Sequence, residues 1–481
     1  MATKRQTKVK TKKIKKLLIA NRGEIALRVI RAARDLGIKT VAIYSRADEG
    51  SLPVRMADER VFIGQSRAKE SYLNLENVIA AAIQTGADAV HPGYGFFAEN
   101  AEFAAAVVKE KMLFVGPTPE VISLMGDKEQ ARHIAKKVKV PIVPGTDGNI
   151  TIKEAKQFAK EVGFPVIIKA VAGGSGRGMR IVEKASELEE KLTQAQAEAL
   201  ASFNNASVFI EKFLKTPRHI EVQVAADNYG NTVSVGDREC SVQRRHQKLI
   251  EEAPAPRLHK SVREKLHKAA VQLTKKVKYT GVGTIEFLVD GGESAKDKFY
   301  FLEMNTRIQV EHPVTEEVTG VDLVRLQLEI AEGKKLPFKQ KDIVTDGHAI
   351  EFRVNAEVPS EGFMPAVGKI CYIHPASGPG VREDSWVEAG TEVSLFYDSL
   401  LSKLIIKGNT REEAIIRAQR ALDEYVLEGV ETNLGFHRFL VREPVFVNAE
   451  LDVYWVSREY KGQTRPGKMV GPLLLTVPKE Q

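Results

Sequence analysis

Cysteine is scarce, with Cys240 and Cys371 the two among 481 residues. That excludes a disulfide framework and a cysteine-rich metal cluster, and it fits a reducing, cytoplasmic compartment. The sequence has no run approaching the ~18 apolar residues that cross a bilayer, and no apolar segment precedes residue 17, so neither a membrane span nor a secretory signal is read from it. Internal repeats are missing, and low complexity is confined to the start. Acidic residues are absent from residues 1–16, MATKRQTKVKTKKIKK, which hold seven Lys and one Arg. The rest of the 71 basic residues equal the 63 acidic ones in number, so the net charge of +8 resides in this tail. A neutral folded body argues against nucleic-acid binding, which places basic patches on the body itself.

What is present is ordinary soluble composition, 43% hydrophobic and 28% charged, with length for about three domains. Lys16–Ala20 reads as a buried strand, and Ile25, Val29, Ala32 and Leu36 share one face of the helix that follows it. Lys39–Ser45 completes a βαβ unit, and the alternation continues to Leu113–Val115, which predicts an open parallel sheet. The loop His91–Phe96 then lies at a strand's carboxyl end, where such sheets bind ligands. After Pro141–Gly145 the pattern changes to a small α+β unit: helix Ile152–Val162, strand Val166–Ala170, a glycine loop at 172–178, strand Met179–Val182, a helix at 186–202 and strand Ser207–Glu211. Glu221–Ala226 and Thr232–Asp237 read as a hairpin, and a third region begins near residue 345.

The chemistry gathers around Phe301–Glu316, FLEMNTRIQVEHPVTE. If this stretch is extended as far as Pro313, Glu303, Asn305, Arg307, Gln309 and Glu311 line one face, against Leu302, Met304, Ile308 and Val310 on the other. Alone, that pattern describes a half-buried strand with a solvated face. Glu286 sits inside the apolar strand 283–289, where a carboxylate needs a cation or donor. Paired with Glu303 it makes an oxygen-rich site suited to Mg²⁺. Lys169 followed by Gly173, Gly174, Gly176 and Gly178 sets an ammonium beside a loop open enough to approach a phosphate. Glu211–Leu214 ends a strand with a carboxylate, a free backbone edge and an apolar side chain, as an adenine requires. Cys240–Lys248 packs Arg244, Arg245, His246 and Lys248 close together, a poor core strand that calls for an anion or solvent. Arg353 is a cation within an apolar run. Together these are the equipment for ATP–Mg²⁺ chemistry on a small anion.

From about Lys15 to Tyr454 the chain resembles the biotin carboxylases of the ATP-grasp superfamily. The resemblance is carried by ANRGEIALRVIRA (20–32), HPGYGF (91–96), GDK (126–128), GGSGRGM (173–179), CSVQRRHQK (240–248), EEAPAP (251–256), EMNTRIQVEHPVTE (303–316) and RVNAE (353–357). It implies an α/β and α+β fold: an N-terminal open parallel-sheet (pre-ATP-grasp) domain at 16–126 and an ATP-grasp domain at 127–340, whose mobile glycine-loop lid covers about 141–213. A C-terminal biotin carboxylase domain at 341–456 follows, flanked by the basic tail 1–15 and an extension at 457–481.

By the same resemblance, Lys128, Lys169, the four glycines, Met179, Glu211, Lys212, Leu214, His219, Gln243, His246 and Leu288 would bind ATP. Glu286, Glu303 and Asn305 would hold Mg²⁺ or Mn²⁺. Lys248, Arg307, Gln309 and Val310 would surround bicarbonate, Glu311 would remove its proton, and Arg353 and Tyr94 would face biotin. The implied reaction makes carboxyphosphate and then carboxylates biotin, as the first half-reaction of a multisubunit carboxylase. The expected partners are a biotin carboxyl carrier protein and a carboxyltransferase subunit, since no Ala-Met-Lys-Met biotinylation sequence occurs. The enzyme is expected as a homodimer, without nucleic-acid or membrane partners. Acetyl-CoA or acyl-CoA carboxylase is favoured, with pyruvate or 2-oxoglutarate carboxylase as the alternative and a carboxylate–amine ligase as a remote one. Ala172 and Ser175 depart from the family's usual glycines.

Overall fold

The computed structural model describes residues 11–467, apart from residues 147, 149, 171–178, 204, 292 and 295. The glycine loop, with Gly173, Gly174, Gly176, Gly178, Ala172 and Ser175, therefore lies outside the described residues. The first unit is a five-stranded parallel sheet in the order Glu59–Gly64, Lys39–Ser45, Lys16–Ile19, Ala89–His91, Leu113–Phe114. Its central strand is an apolar run because helices cover both faces. The strand order reverses between Lys16–Ile19 and Ala89–His91, which opens a crevice at their carboxyl ends. There Asn21 Nδ2 donates to the carbonyls of Pro92 and Tyr94 at 2.8 and 2.7 Å, tying the turn before helix Gly23–Asp35 to the glycine-rich loop. Gly93 stands at φ +63° with the Asn21 amide against it, and a Cβ would come within 2.8 Å of Nδ2. Any larger residue would push this tie apart.

The second sheet has eight antiparallel strands in the order Lys298–Asn305, Gly281–Asp290, Pro217–Ala226, Thr232–Arg244, Gln247–Ala253, His348–Asn355, Leu400–Gly408, Val381–Ser385. The region beyond residue 345 thus continues this sheet, through pairing of Gln247–Ala253 with His348–Asn355. One face packs helix Lys260–Lys276, whose Leu266 and Leu273 are fully buried with Ile220, Val222, Ile285 and Phe287. Each such leucine contributes roughly 1.5–3 kcal/mol by leaving water. A separate three-stranded sheet, Met179–Val182, Val166–Ala170 and Val208–Lys212, carries helices Ile152–Val162 and Leu188–Phe203 on a core of its own.

Two sequence expectations need correction. The 301–316 stretch is not extended to its proline: the strand ends at Asn305, Glu311 is the N-cap of helix His312–Thr319, and Pro313 lies in that helix's first turn. Proline there starts a helix because its missing N–H is one the helix would leave unpaired anyway. A bulge between the Glu286/Glu303 and Phe287/Phe301 pairs leaves Leu302 unpaired and exposed, so it does not join Met304 on the apolar side. The second correction is at Asp237, where the strand begun at Thr232 does not end but runs on through Cys240 to Arg244; the turn comes at Arg245 and His246, both at positive φ.

Candidate active site

Glu286 and Glu303 are direct cross-strand partners, and Thr284 pairs with Asn305 on the same two strands. Asn305 Nδ2 and Gln309 Nε2 donate to Glu286 Oε1 at 3.0 and 2.7 Å, while His219 Nε2 stands 3.0 Å from Glu286 Oε2. Burial opposes ionisation of Glu286, but Lys248 and His219 outweigh it and hold its carboxyl well below the usual range. Glu303 goes the other way, pushed up by burial and by the neighbouring Glu286 charge. A buried and a half-buried carboxyl that repel each other and are joined by an amide oxygen fit a hard divalent cation, whose charge would let both ionise. Two further carboxylate groupings fit less well. Glu221 and Glu286 with His219 are bridged by Lys248, and Glu221 and Glu311 with Cys240 include a buried thiol that suits neither Mg²⁺ nor Mn²⁺.

Lys248 projects from strand Gln247–Ala253 into the centre of this group, with Nζ at 2.6 Å from Glu221, 3.0 Å from Glu286 and 2.5 Å from Glu311. Arg353, two strand positions beyond Glu351, donates from Nε to Glu251 at 2.6 Å and from Nη2 to Glu311 at 2.9 Å. Glu311 is therefore clasped from both sides. Burial alone would raise its pKa, but Lys248, Arg353 and Arg238 lower it far below the ordinary carboxylate range. Such a carboxylate is fully ionised at neutral pH and ready to accept a proton once a substrate displaces one cation. Val310 is fixed through its carbonyl, which accepts from Lys403 Nζ at 2.9 Å. Arg307 is turned the other way, bonding Asn305 Oδ1 at 3.0 Å, Ile308 O at 3.1 Å and Glu99 at 2.9 Å.

The nucleotide-side candidates form a second group. Lys169 Nζ and Arg132 Nη1 each hold one oxygen of Glu211, at 2.6 and 2.5 Å, and lower its pKa against the effect of burial. Leu214 is buried, Leu288 half-buried and Met179 exposed, whereas Lys212 spends its ammonium on the carbonyls of Gly163 and Phe164. Lys128 opens helix Lys128–Lys137 and is exposed. Gln243 Nε2 meets His219 Nδ1 at 3.3 Å. His246, on the turn, has its pKa lowered by partial burial and by the Lys169, His219 and Lys128 charges.

A cleft of about 490 Å³ is lined by Lys248 and Arg353 together with Tyr94, Val310, Trp386 and Tyr397. The Tyr94 hydroxyl donates to Glu24, which also receives Lys403 at 3.2 Å. Lys248 and Arg353 thus touch both the buried carboxylate group and this cleft, whose wall also carries Phe96 and Phe396.

Sequence reasoning overlooked several groups at this junction: Arg132, Glu221, Arg238, Glu251, Glu24 and Lys403. Glu221 carried a usable signal, a carboxylate in the wholly buried strand Pro217–Ala226, the same feature that singled out Glu286. Arg238 is fully buried and donates to Glu221, Gln223, Thr315, Thr284 and Gln309. Its partners come from four separate elements, so no local pattern announces it.

Known proteins bear on this arrangement. Residues 13–122 match the family described as biotin carboxylase, N-terminal domain, residues 127–339 the carbamoyl-phosphate synthase L chain, ATP binding domain, and residues 351–458 the biotin carboxylase C-terminal domain. The chain is 52% identical over 445 residues to biotin carboxylase 1 of Bacillus subtilis, covering 92% of this chain and 98% of that one. It is 49% identical to a pyruvate carboxylase component of Methanothermobacter thermautotrophicus, covering 93% and 90%. The biotin carboxylase domain dimer of the Hydrogenobacter thermophilus 2-oxoglutarate carboxylase, solved with MgADP, ADP and bicarbonate, matches with TM-score 0.84 and 43% identity over 93% of this chain and 98% of that one. With the three family models matched along nearly the whole chain and near-complete coverage of a biotin carboxylase at 52% identity, the chain belongs to the biotin carboxylase family of ATP-grasp ligases.

Proposed function

We propose that this enzyme carboxylates biotin borne on a biotin carboxyl carrier protein, using ATP, Mg²⁺ and bicarbonate, as the first half-reaction of an acetyl-CoA or acyl-CoA carboxylase. The observation that carries the reading is Glu311 held between Lys248 and Arg353, the two cations that also line the cleft. Bicarbonate placed there would lose its proton to Glu311, and its oxygen would attack the γ-phosphorus of ATP as ADP leaves. Lys248 and Lys169 would spread the charge that builds on the transferring phosphoryl group. Glu286, Glu303 and Asn305 would hold the divalent cation, which would supply charge neutralisation on the phosphates. Carboxyphosphate would then break into CO₂ and phosphate. Phosphate would take the N1′ proton of biotin, Arg353 would hold the enolate oxygen, and N1′ would attack CO₂. Tyr94 borders the cleft that the ureido ring would enter. The three-stranded unit bearing Lys169 and Glu211 would close over the nucleotide to keep water from the intermediate.

The remaining parts of the reading rest on likeness and composition. A related domain is described as a dimer, which supports a homodimer here. We place the enzyme in the cytoplasm, where its two free cysteines would stay reduced. No helix among the described residues is long and apolar enough to cross a membrane. Relatives named for pyruvate and 2-oxoglutarate make those acceptors the second reading. The test is to copurify the enzyme with its carrier and carboxyltransferase chains and follow labelled bicarbonate. Label reaching acetyl-CoA or propionyl-CoA is the expected result; label reaching pyruvate or 2-oxoglutarate instead would overturn the acyl-CoA assignment.

A further inference from the structure

Behind Arg353 lies a buried acid that the reaction above does not use. Glu351 sits in the middle of strand His348–Asn355, fully buried, and neither of its carboxyl oxygens has a hydrogen-bond partner among the described residues. Its direct cross-strand partner is Glu251, also fully buried, whose Oε2 is likewise unpartnered while Oε1 accepts from Arg353. Directly opposed residues on an antiparallel pair have Cβ atoms about 4.5–5.5 Å apart. Two ionised carboxylates at that spacing, out of water, would repel strongly and leave three lone-pair-bearing oxygens unsatisfied.

The surroundings do not relieve this. Helix His312–Thr319 covers the face, with Val314 and Val318 packed against Ala253, Ala349 and Ile405. The charged groups facing Glu351 are Lys403 from the next strand, Arg353 from its own, Glu251 from the strand on its other side, and Glu311 at the helix start. Lys403 is already engaged by Glu24 and the Val310 carbonyl, and Arg353 by Glu251 and Glu311.

We infer that Glu351 stands protonated and donates its proton to the free oxygen of Glu251, so that the two carboxyls hold one proton and present a single negative charge to Arg353. Burial pushes the Glu351 carboxyl well above its usual range and raises Glu251 to about 7, in agreement. The pair titrates as a unit. Glu351 is then a positioning residue: by keeping Glu251 singly charged and oriented, it leaves Arg353 its cationic character for an anion arriving in the cleft. That consequence rests on the biotin reading, whereas the shared proton does not.

The test is infrared spectroscopy of the carboxylic-acid C=O stretch in the full-length enzyme without substrates, titrated through neutral pH. The wild type should keep a protonated carboxyl that Glu351→Gln removes, and Glu251→Gln should shift its frequency by changing what it donates to. A spectrum unchanged by both substitutions would overturn the proposal, and if the first variant does not fold, an unshifted band in the second does so alone. In steady-state assays with free biotin, Glu351→Gln, a neutral isostere, should keep kcat within about threefold and flatten the alkaline rise in KM for biotin, leaving KM for ATP unchanged. An alkaline rise identical to the wild type's would show that the pair does not act on Arg353.

Discussion

At the scale of single residues, function divides between side chains a few ångströms apart. Glu311 is a buried acid and Glu303 a half-buried one, and opposite environments separate them: Glu311 lies between cations that keep it ionised, and Glu303 faces the carboxylate of Glu286. Glu311→Gln should leave nucleotide affinity nearly unchanged while turnover falls by roughly 10²–10⁴-fold, the usual loss on removing a general base. Glu303→Gln should instead weaken binding of the metal–nucleotide complex, measurable by titration with MgADP. Arg238 belongs to the same scale and a different role. Its loss would strand Glu221 without one of its two cations in a fully buried site, and Arg238→Ala should cost about 3–5 kcal/mol in denaturant unfolding, the range for breaking a buried ion pair.

At the scale of elements, strand Gly281–Asp290 sets the geometry of the Glu286–Glu303 pair. Gly283 leaves room for the Tyr279 ring and the Asn305 carbonyl, and a Cβ there would meet Tyr279 Oη at 2.7 Å and Asn305 O at 3.0 Å. Gly283→Ala should therefore displace the strand that carries Glu303 and Asn305, costing roughly 1–3 kcal/mol, the range for overpacking, with weaker Mg²⁺ dependence as the accompanying sign. Elements are also where the sequence is most and least legible. Period-2 and period-3.6 patterns locate the parallel strands and their helices because each element carries its own burial signal. Glu286 is legible as a carboxylate in an apolar run. The path from Asn305 to Glu311 is misread because alternation persists through a bend, and only Pro313 marks the helix start. Arg238, Glu251 and Lys403 are invisible because their meaning depends on which strands become neighbours.

At the scale of the molecule, the eight-stranded sheet joins the strands of the Glu286–Glu303 pair to those carrying Arg353 and Lys403, so the carboxylate pair and the cleft share one frame. Its buried acids also shape the pH dependence of stability. Glu252 and Asp384 are held at about 2 despite burial, by Arg411 and His348 in one case and by Arg382 and Lys403 in the other. Their folded values lie below the unfolded ones, so their contribution is present above about pH 4 and lost as pH falls towards 2. Glu24, raised to about 7 chiefly by burial, acts in the opposite sense: the unfolded chain ionises first as pH rises from about 4.5 to 7, and folding weakens across that window. Denaturation midpoints should fall on both sides of about pH 5, and a flat profile from pH 2 to 7 would contradict these assignments.

One assay bears on the whole site at once: ATP cleavage by the purified enzyme with bicarbonate, Mg²⁺ and free biotin, with labelled carbon followed into carboxybiotin. ADP formation should rise with biotin and require bicarbonate, with label recovered on N1′, and that transfer should be lost in Glu311→Gln. ADP formation indifferent to biotin, or label that never reaches it, would contradict the assignment of Lys248, Glu311 and Arg353 to a single carboxyl-transfer site.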